Sequence, residues 1–240
     1  MISFNTRRGW GNRLDFANHN GFTLAEVLVT LGIIGVVSAM TVPTLVQNYQ
    51  RKSYVTQLHK VYNELGQAAE RYKTDNNYVS LKESRIVGNK EELNKFVKTY
   101  FKIVKDCGGS YSSCFADSYE WIDSSQDKIS TDTHECWSTV VLASGAALCV
   151  DSGKFEANQA DKDMNGDGQI DENDKIYNGG VQGDAAITIE IDINGLQGPN
   201  IVGRDFFCLN ILSDGTVVGN PGSHGGYSVK IIEDGWEMNY

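Results

Sequence analysis

The sequence predicts an α+β protein, with a long N-terminal spine helix packed on an antiparallel β-sheet head. Three observations carry that prediction. Val27–Val46 is a run of twenty residues without a charge, about the length at which a helix crosses the hydrocarbon core of a bilayer. Behind it, Leu58, Val61, Tyr62, Leu65, Ala68, Ala69 and Tyr72 recur at three- and four-residue intervals, which is one helical face. Further along the period drops to two. Ile187, Ile189, Ile191 and Ile193 alternate with Thr188, Glu190, Asp192 and Asn194, the pattern of a half-buried strand.

Residues 1–21 form a polar leader with Arg7, Arg8 and Arg13. The positive-inside rule holds that end in the cytoplasm and sends the rest of the chain outward. Residues 22–47 are the membrane half of the spine helix and residues 48–75 its amphipathic half. The far face of the second half carries Arg51, Lys52, Lys60, Glu64, Arg71 and Lys73. A helix from Thr23 to Thr74 is roughly 78 Å long, weakened locally by Gly32, Gly35 and Pro43, and Asp75-Asn76-Asn77 ends it. Residues 76–240 make the head. A second helix is expected over residues 90–104, capped by Asn89 with Glu92 three residues on. Its buried face would be Leu93, Phe96, Val97, Tyr100, Phe101 and Val104. Hairpins are expected for Ser138–Leu142 with Ala146–Val150, around Ser144-Gly145, and for Phe206–Leu212 with Thr216–Val218, around Asp214-Gly215. Tyr227–Ile232 reads as one more strand.

The charge narrows the function. The chain carries a net charge of −10, and residues 76–240 hold 13 basic against 26 acidic groups. A head this acidic repels phosphate backbones, so nucleic acid is excluded as the main partner. Catalytic signatures are missing too. There is no G-x-S-x-G elbow, no H-E-x-x-H and no phosphate-cradling glycine loop, and Ser223-His224 sits in a Gly-rich stretch that reads as a turn. A non-enzymatic role is expected.

The start of the apolar run is the most specific part of the chain. An ordinary secretory signal would be cut after the run, where Ser38-Ala39-Met40 is a poor site. A plain anchor leaves Glu26 unexplained, since a carboxylate at the mouth of a spanning helix is expensive and usually marks a function. The segment Gly21-Phe-Thr-Leu-Ala-Glu26-Val-Leu-Val-Thr-Leu-Gly-Ile-Ile-Gly-Val-Val-Ser-Ala-Met40 resembles the N-terminal signal of type IV pilins and type II secretion pseudopilins. The resemblance covers residues 21–50, including Pro43, and implies a pilin-like fold. It also implies that prepilin peptidase cuts after Gly21 and methylates Phe22 as the new N-terminus. Glu26 would then set register by pairing with a neighbour's Phe22 amine, a carboxylate that merely snorkels at the headgroup level being the alternative. The implied partners are further copies of the chain, met through residues 22–47, the peptidase and the bacterial inner membrane. The implied location is that membrane before assembly, then a periplasmic or extracellular filament. The expected function is a structural subunit of a type IV pilus-like filament. A type II secretion pseudopilin and a minor tip pilin or adhesin are the alternatives.

An extracytoplasmic head permits disulfides. Cys107 and Cys114 would close a Gly- and Ser-rich loop, Cys136 and Cys149 would brace the first hairpin, and Cys208 would stay a buried thiol. Five cysteines allow fifteen arrangements of two bridges, and five reduced core residues remain the alternative.

Residues 163–174 fit a twelve-position calcium loop. Asp163, Asn165, Asp167, Asp171 and Asp174 offer oxygens at positions 1, 3, 5, 9 and 12, Gln169 its carbonyl at 7, and Gly168 the sharp turn at 6. Asp at position 12 resembles the dockerin variant of the loop, although no second repeat accompanies it. Residues 161–174 hold six acidic groups and one Lys, and Ca²⁺ is the expected counter-ion; a solvated acidic loop is the alternative. Asp192-Ile-Asn-Gly-Leu-Gln-Gly-Pro-Asn-Ile-Val-Gly-Arg-Asp205-Phe206 resembles a stretch in the C-terminal part of many pilin-like proteins. By its residues it is a tight loop in which Asp192 and Asp205 tie down backbone amides, with a second calcium site as the other reading.

Overall fold

A computed structural model describes residues 22–111, 113–123, 127–131, 135–152, 185–222 and 224–240. By backbone contacts the chain divides into two compact units, Met1–Gln47 and Asn48–Tyr240.

Helix α1, Leu24–Asn76, runs unbroken through Pro43. It ends where Asn77 takes the left-handed conformation (φ 56°) and the Tyr78 amide bonds back to the Lys73 carbonyl at 2.9 Å, a closure that satisfies otherwise orphaned carbonyls. The stripe Val55, Leu58, Val61, Leu65, Ala68, Ala69 and Tyr72 is buried. Tyr62 lies at its edge, its hydroxyl donating to the Val217 carbonyl at 2.9 Å. Each fully buried Val or Leu side chain in this stripe contributes about 1.5–3 kcal/mol.

Helix α2 spans Lys90–Tyr100, with Asn89 accepting from the Glu91 and Glu92 amides. It stops short of the expected residue 104. Ile103 opens strand β1, Ile103–Ser110, and Val104 is 67% exposed rather than buried. Pairing of β1 with β4 overrides the helical period here, as Ile and Val favour strand.

The remaining strands are β2 (Ser118–Trp121), β3 (Ile129–Ser130), β4 (Glu135–Leu142), β5 (Ala147–Ser152), β6 (Ala185–Asp192), β7 (Ile201–Val202), β8 (Phe206–Leu212) and β9 (Val217–Gly219). They form one sheet in the order β1-β4-β5-β6-β8-β7-β2-β3, with β9 on β8. Pairing is antiparallel except where β7 meets β2 and β8. Both expected hairpins form. Thr139 lies opposite Cys149 across β4–β5, and Asn210 opposite Val218 across β8–β9. The inward Ile187, Ile189 and Ile191 of β6 are fully buried.

The expected strand Tyr227–Ile232 is instead helix α3, Tyr227–Glu233. Its buried residues Tyr227, Ser228 and Ile231 lie on one helical face. Gly225 and Gly226 both take positive φ just before it, which suits residues without a Cβ. The helix also sits close on β9: a Cβ on Gly219 would lie 2.6 Å from the Val229 amide nitrogen.

Candidate functional site

Phe22 and the apolar side chains after it are exposed, from Leu24 at 79% to Met40 at 73%. Helix α1 is long and apolar enough to cross a membrane, and its most apolar stretch has a mean hydropathy of 2.0. The start of the helix is a capping box, Thr23-Leu-Ala-Glu26, a Thr-x-x-Glu spacing that is legible in the sequence. The Thr23 amide and hydroxyl both donate to a Glu26 carboxylate oxygen, at 2.8 and 2.9 Å, and the Glu26 amide donates to the Thr23 hydroxyl at 3.2 Å. Two of the amides left unpaired at a helix start are thereby satisfied. Gly21 lies outside the described residues.

The calcium-loop residues Asp163, Asn165, Asp167, Gln169, Asp171 and Asp174 also lie outside the described residues. Among the described residues, one cluster has metal-ligating side chains close together, Cys136, Cys149 and Asp151. Both of its sulfurs are taken up in a disulfide, so it offers no thiolate. The bridges are Cys107–Cys114 and Cys136–Cys149, with Cα atoms 6.3 and 5.7 Å apart. Cys208 is buried and lies outside both bridges.

The Asp192–Phe206 segment is a tight loop tied down by its two aspartates. Asp205 accepts from the Asn200 and Ile201 amides at 2.8 and 2.6 Å, and Asp192 from the Asn194 amide at 3.1 Å. Sequence reasoning had no signal for the third partner. The Tyr119 hydroxyl donates to Asp192 at 2.5 Å and accepts from the Ala116 amide at 3.2 Å. Burial pushes the Asp192 carboxyl up to about 8, against the pull of these hydrogen bonds. Asp205 is raised by the same cause. These carboxylate oxygens already face N–H and O–H donors, which favours the structural reading of the loop over a cation site.

Glu190 and His224 were also missed as a pair. They approach to 3.6 Å, with the His224 ring edge-on to Phe206, and burial raises Glu190 to about 7. Nothing near them forms a nucleophile–base–orienter arrangement among the described residues.

A spine helix that opens as a bare apolar segment, joined in sequence to a disulfide-braced antiparallel-rich sheet, defines an α+β, pilin-like architecture. A family model described as the prokaryotic N-terminal methylation motif matches residues 16–42. With the apolar helix, this match supports a type IV pilin-like family and a protein of the prepilin-peptidase-processed pilin or pseudopilin type. It also implies anchoring and filament assembly at a membrane. No curated protein and no solved structure gives a significant match to the chain.

Proposed function

We propose that this chain is a structural subunit of a type IV pilus-like filament, cut between Gly21 and Phe22, N-methylated on Phe22 and polymerised through residues 22–47. The observation that carries the reading is the methylation motif over residues 16–42, set on a helix whose apolar side chains are exposed. Exposed apolar surface on this scale needs lipid first and neighbouring spines later. Glu26 supplies register. In lipid its charge is costly, and the amine created at Phe22 of an adjacent copy is a partner of opposite sign. Calcium held by Asp163, Asn165, Asp167, Gln169, Asp171 and Asp174 would order the acidic segment of the head. That part of the reading rests on the twelve-position spacing.

The test is Glu26→Val in the producing cell. Leader cleavage should proceed normally, while subunits recovered as sheared filaments should fall at least about tenfold, the loss of one ion pair in a low-dielectric setting. Filaments at normal yield would remove the register role. A pseudopilin would give processed protein confined to the envelope, and a tip subunit would give processed protein at trace levels in filaments built mainly of another chain.

A further inference from the structure

Within the unit Asn48–Tyr240, three elements meet around a groove of about 470 Å³. Lys60, Glu64 and Arg71 line it from α1, Tyr100 from the end of α2, Lys102 just beyond that end, and Ser144 from the β4–β5 turn. Lys60, Glu64 and Arg71 follow one another at intervals of four and seven residues, which puts them on one helical face. The Ala143 amide donates to the Lys102 carbonyl at 2.8 Å and ties the turn to the chain leaving α2. The Arg71 guanidinium lies over the Tyr100 ring at 5.8 Å. Glu64 is the groove's carboxylate, and Asp75 reaches its rim by accepting from the Tyr100 hydroxyl at 3.0 Å. Against these two carboxylates stand Lys60, Arg71 and Lys102, none of which forms an ion pair with another described residue.

An acidic corner lies elsewhere on the same unit. Asp117, Glu120, Asp123 and Asp127 are exposed on and around β2 and β3, and β3 is the last strand in the sheet order. Lys128 pairs with Glu120 at 2.6 Å. Asp123 is bonded to Tyr227, and Lys230 lies over that ring at 4.8 Å. Arg204, beyond β7, acts on Tyr54 and Tyr240. Asp117 and Asp127 form no ion pair with a described residue. Asp117 stands at the start of β2 and Asp127 at its end, where the Trp121 indole donates to the Asp127 carbonyl at 3.0 Å. At strand spacing the two are about 13 Å apart. Lys60 and Arg71 are separated by eleven helical positions, about 16 Å, so the two pairs match within side-chain reach. Strands β6, β8 and β7 lie between β5 and β2, roughly 19 Å measured along the sheet, and no ion pair joins corner to groove within the described residues of one chain.

We propose that the groove receives the β2–β3 corner of a second copy of this chain, with Lys60 and Arg71 facing that copy's Asp117 and Asp127. Charge complementarity carries the choice of occupant. Residues 76–240 hold 13 basic against 26 acidic groups, so heads repel one another in general and a basic groove is where another head is drawn in. The two patches are different surfaces of one chain, so their contact is heterologous and, repeated without ring closure, extends an open polymer. The proposal rests on the filament reading above. It adds to spine packing a head contact that selects the neighbour each head meets.

The test is a charge swap in the full chain, made in the producing cell and read as subunit recovered in sheared filaments. Leader removal is followed in the same cells, and unchanged β6 amide exchange in the purified chain is the proof of folding. K60E/R71E and D117K/D127K should each lower the yield at least about tenfold, since like charges then face each other across the contact. The combined variant restores opposite signs and should return the yield to within about threefold of the parent. K60Q/R71Q, milder on the fold, should lower it about threefold. Normal yield from both reversals and from K60Q/R71Q would leave the carboxylates as protection of a sheet edge and overturn the proposal. A loss that the swap does not restore overturns it as well, and assigns the groove to a partner other than a second copy. Either result leaves the filament reading standing, because the parent still polymerises. A parent that is processed yet absent from any sheared polymer would overturn that reading and the proposal together.

Discussion

Glu26 has two demands on it. Within one chain its carboxylate closes the first turn of α1 by taking both donors of Thr23. In the proposed filament it also meets the amine one residue before Thr23, on another copy. The capping geometry already holds the carboxylate at the end of the helix where that amine is created, so pairing needs little reorientation. Asp192 shows the opposite strategy, a carboxyl kept deep in the fold with Tyr119 and Asp205 around it. Its pKa rises from 3.8 unfolded to about 8 folded, so the folded state binds the proton more tightly. Its contribution to stability is full below about pH 4 and is lost as pH rises through 8. Asp192→Asn should remove that loss, so that the melting temperature of the variant relative to the parent rises between pH 5 and pH 8. Parallel curves over that range would show that Asp192 does not titrate as its burial requires. The Asp-x-Asn-Gly loop chemistry was legible from residue types alone, because Asx turns are local. Tyr119 was not, because it lies 73 residues from Asp192.

At the scale of elements, legibility followed how far each element's cause lies in sequence. The spine stripe and β6 declare their periods within a few residues and form as read. Helix α3 occupies a seven-residue stretch that fits either period, and the deciding contact is its seat on Gly219. Strands β2 and β7 are short and pair in parallel, which leaves no local trace. The β4–β5 hairpin is braced by Cys136–Cys149, which closes a loop of 13 residues' separation. Chain-entropy arguments give such a bridge about 3 kcal/mol. C136A/C149A should therefore lower head stability by about that amount in denaturant titration. Reduction of the parent should lower stability further, because Cys107–Cys114 opens as well. No change in either would mean the hairpin is held by packing alone.

For the whole molecule, charge and apolar surface are kept apart along the chain. Nearly all of the negative charge belongs to residues 76–240, and one acidic residue interrupts residues 22–47. An acidic head limits association in solution, whereas the apolar segment drives insertion and packing. Neutralising part of that charge with calcium would stabilise the head by mass action, since only the folded loop gathers the ligands. Added calcium should raise the melting temperature of the parent, and Asp167→Ala should abolish that rise while leaving the calcium-free melting temperature unchanged. Equal calcium responses in the two proteins would dismiss the site. The processing claim underlies the rest, and mass spectrometry of material sheared from the producing cells tests it most directly. Processing as proposed gives a peptide that begins at N-methylated Phe22, with residues 1–21 gone. A peptide that still carries Gly21 ahead of Phe22 in every fraction would contradict it and leave an ordinary membrane anchor.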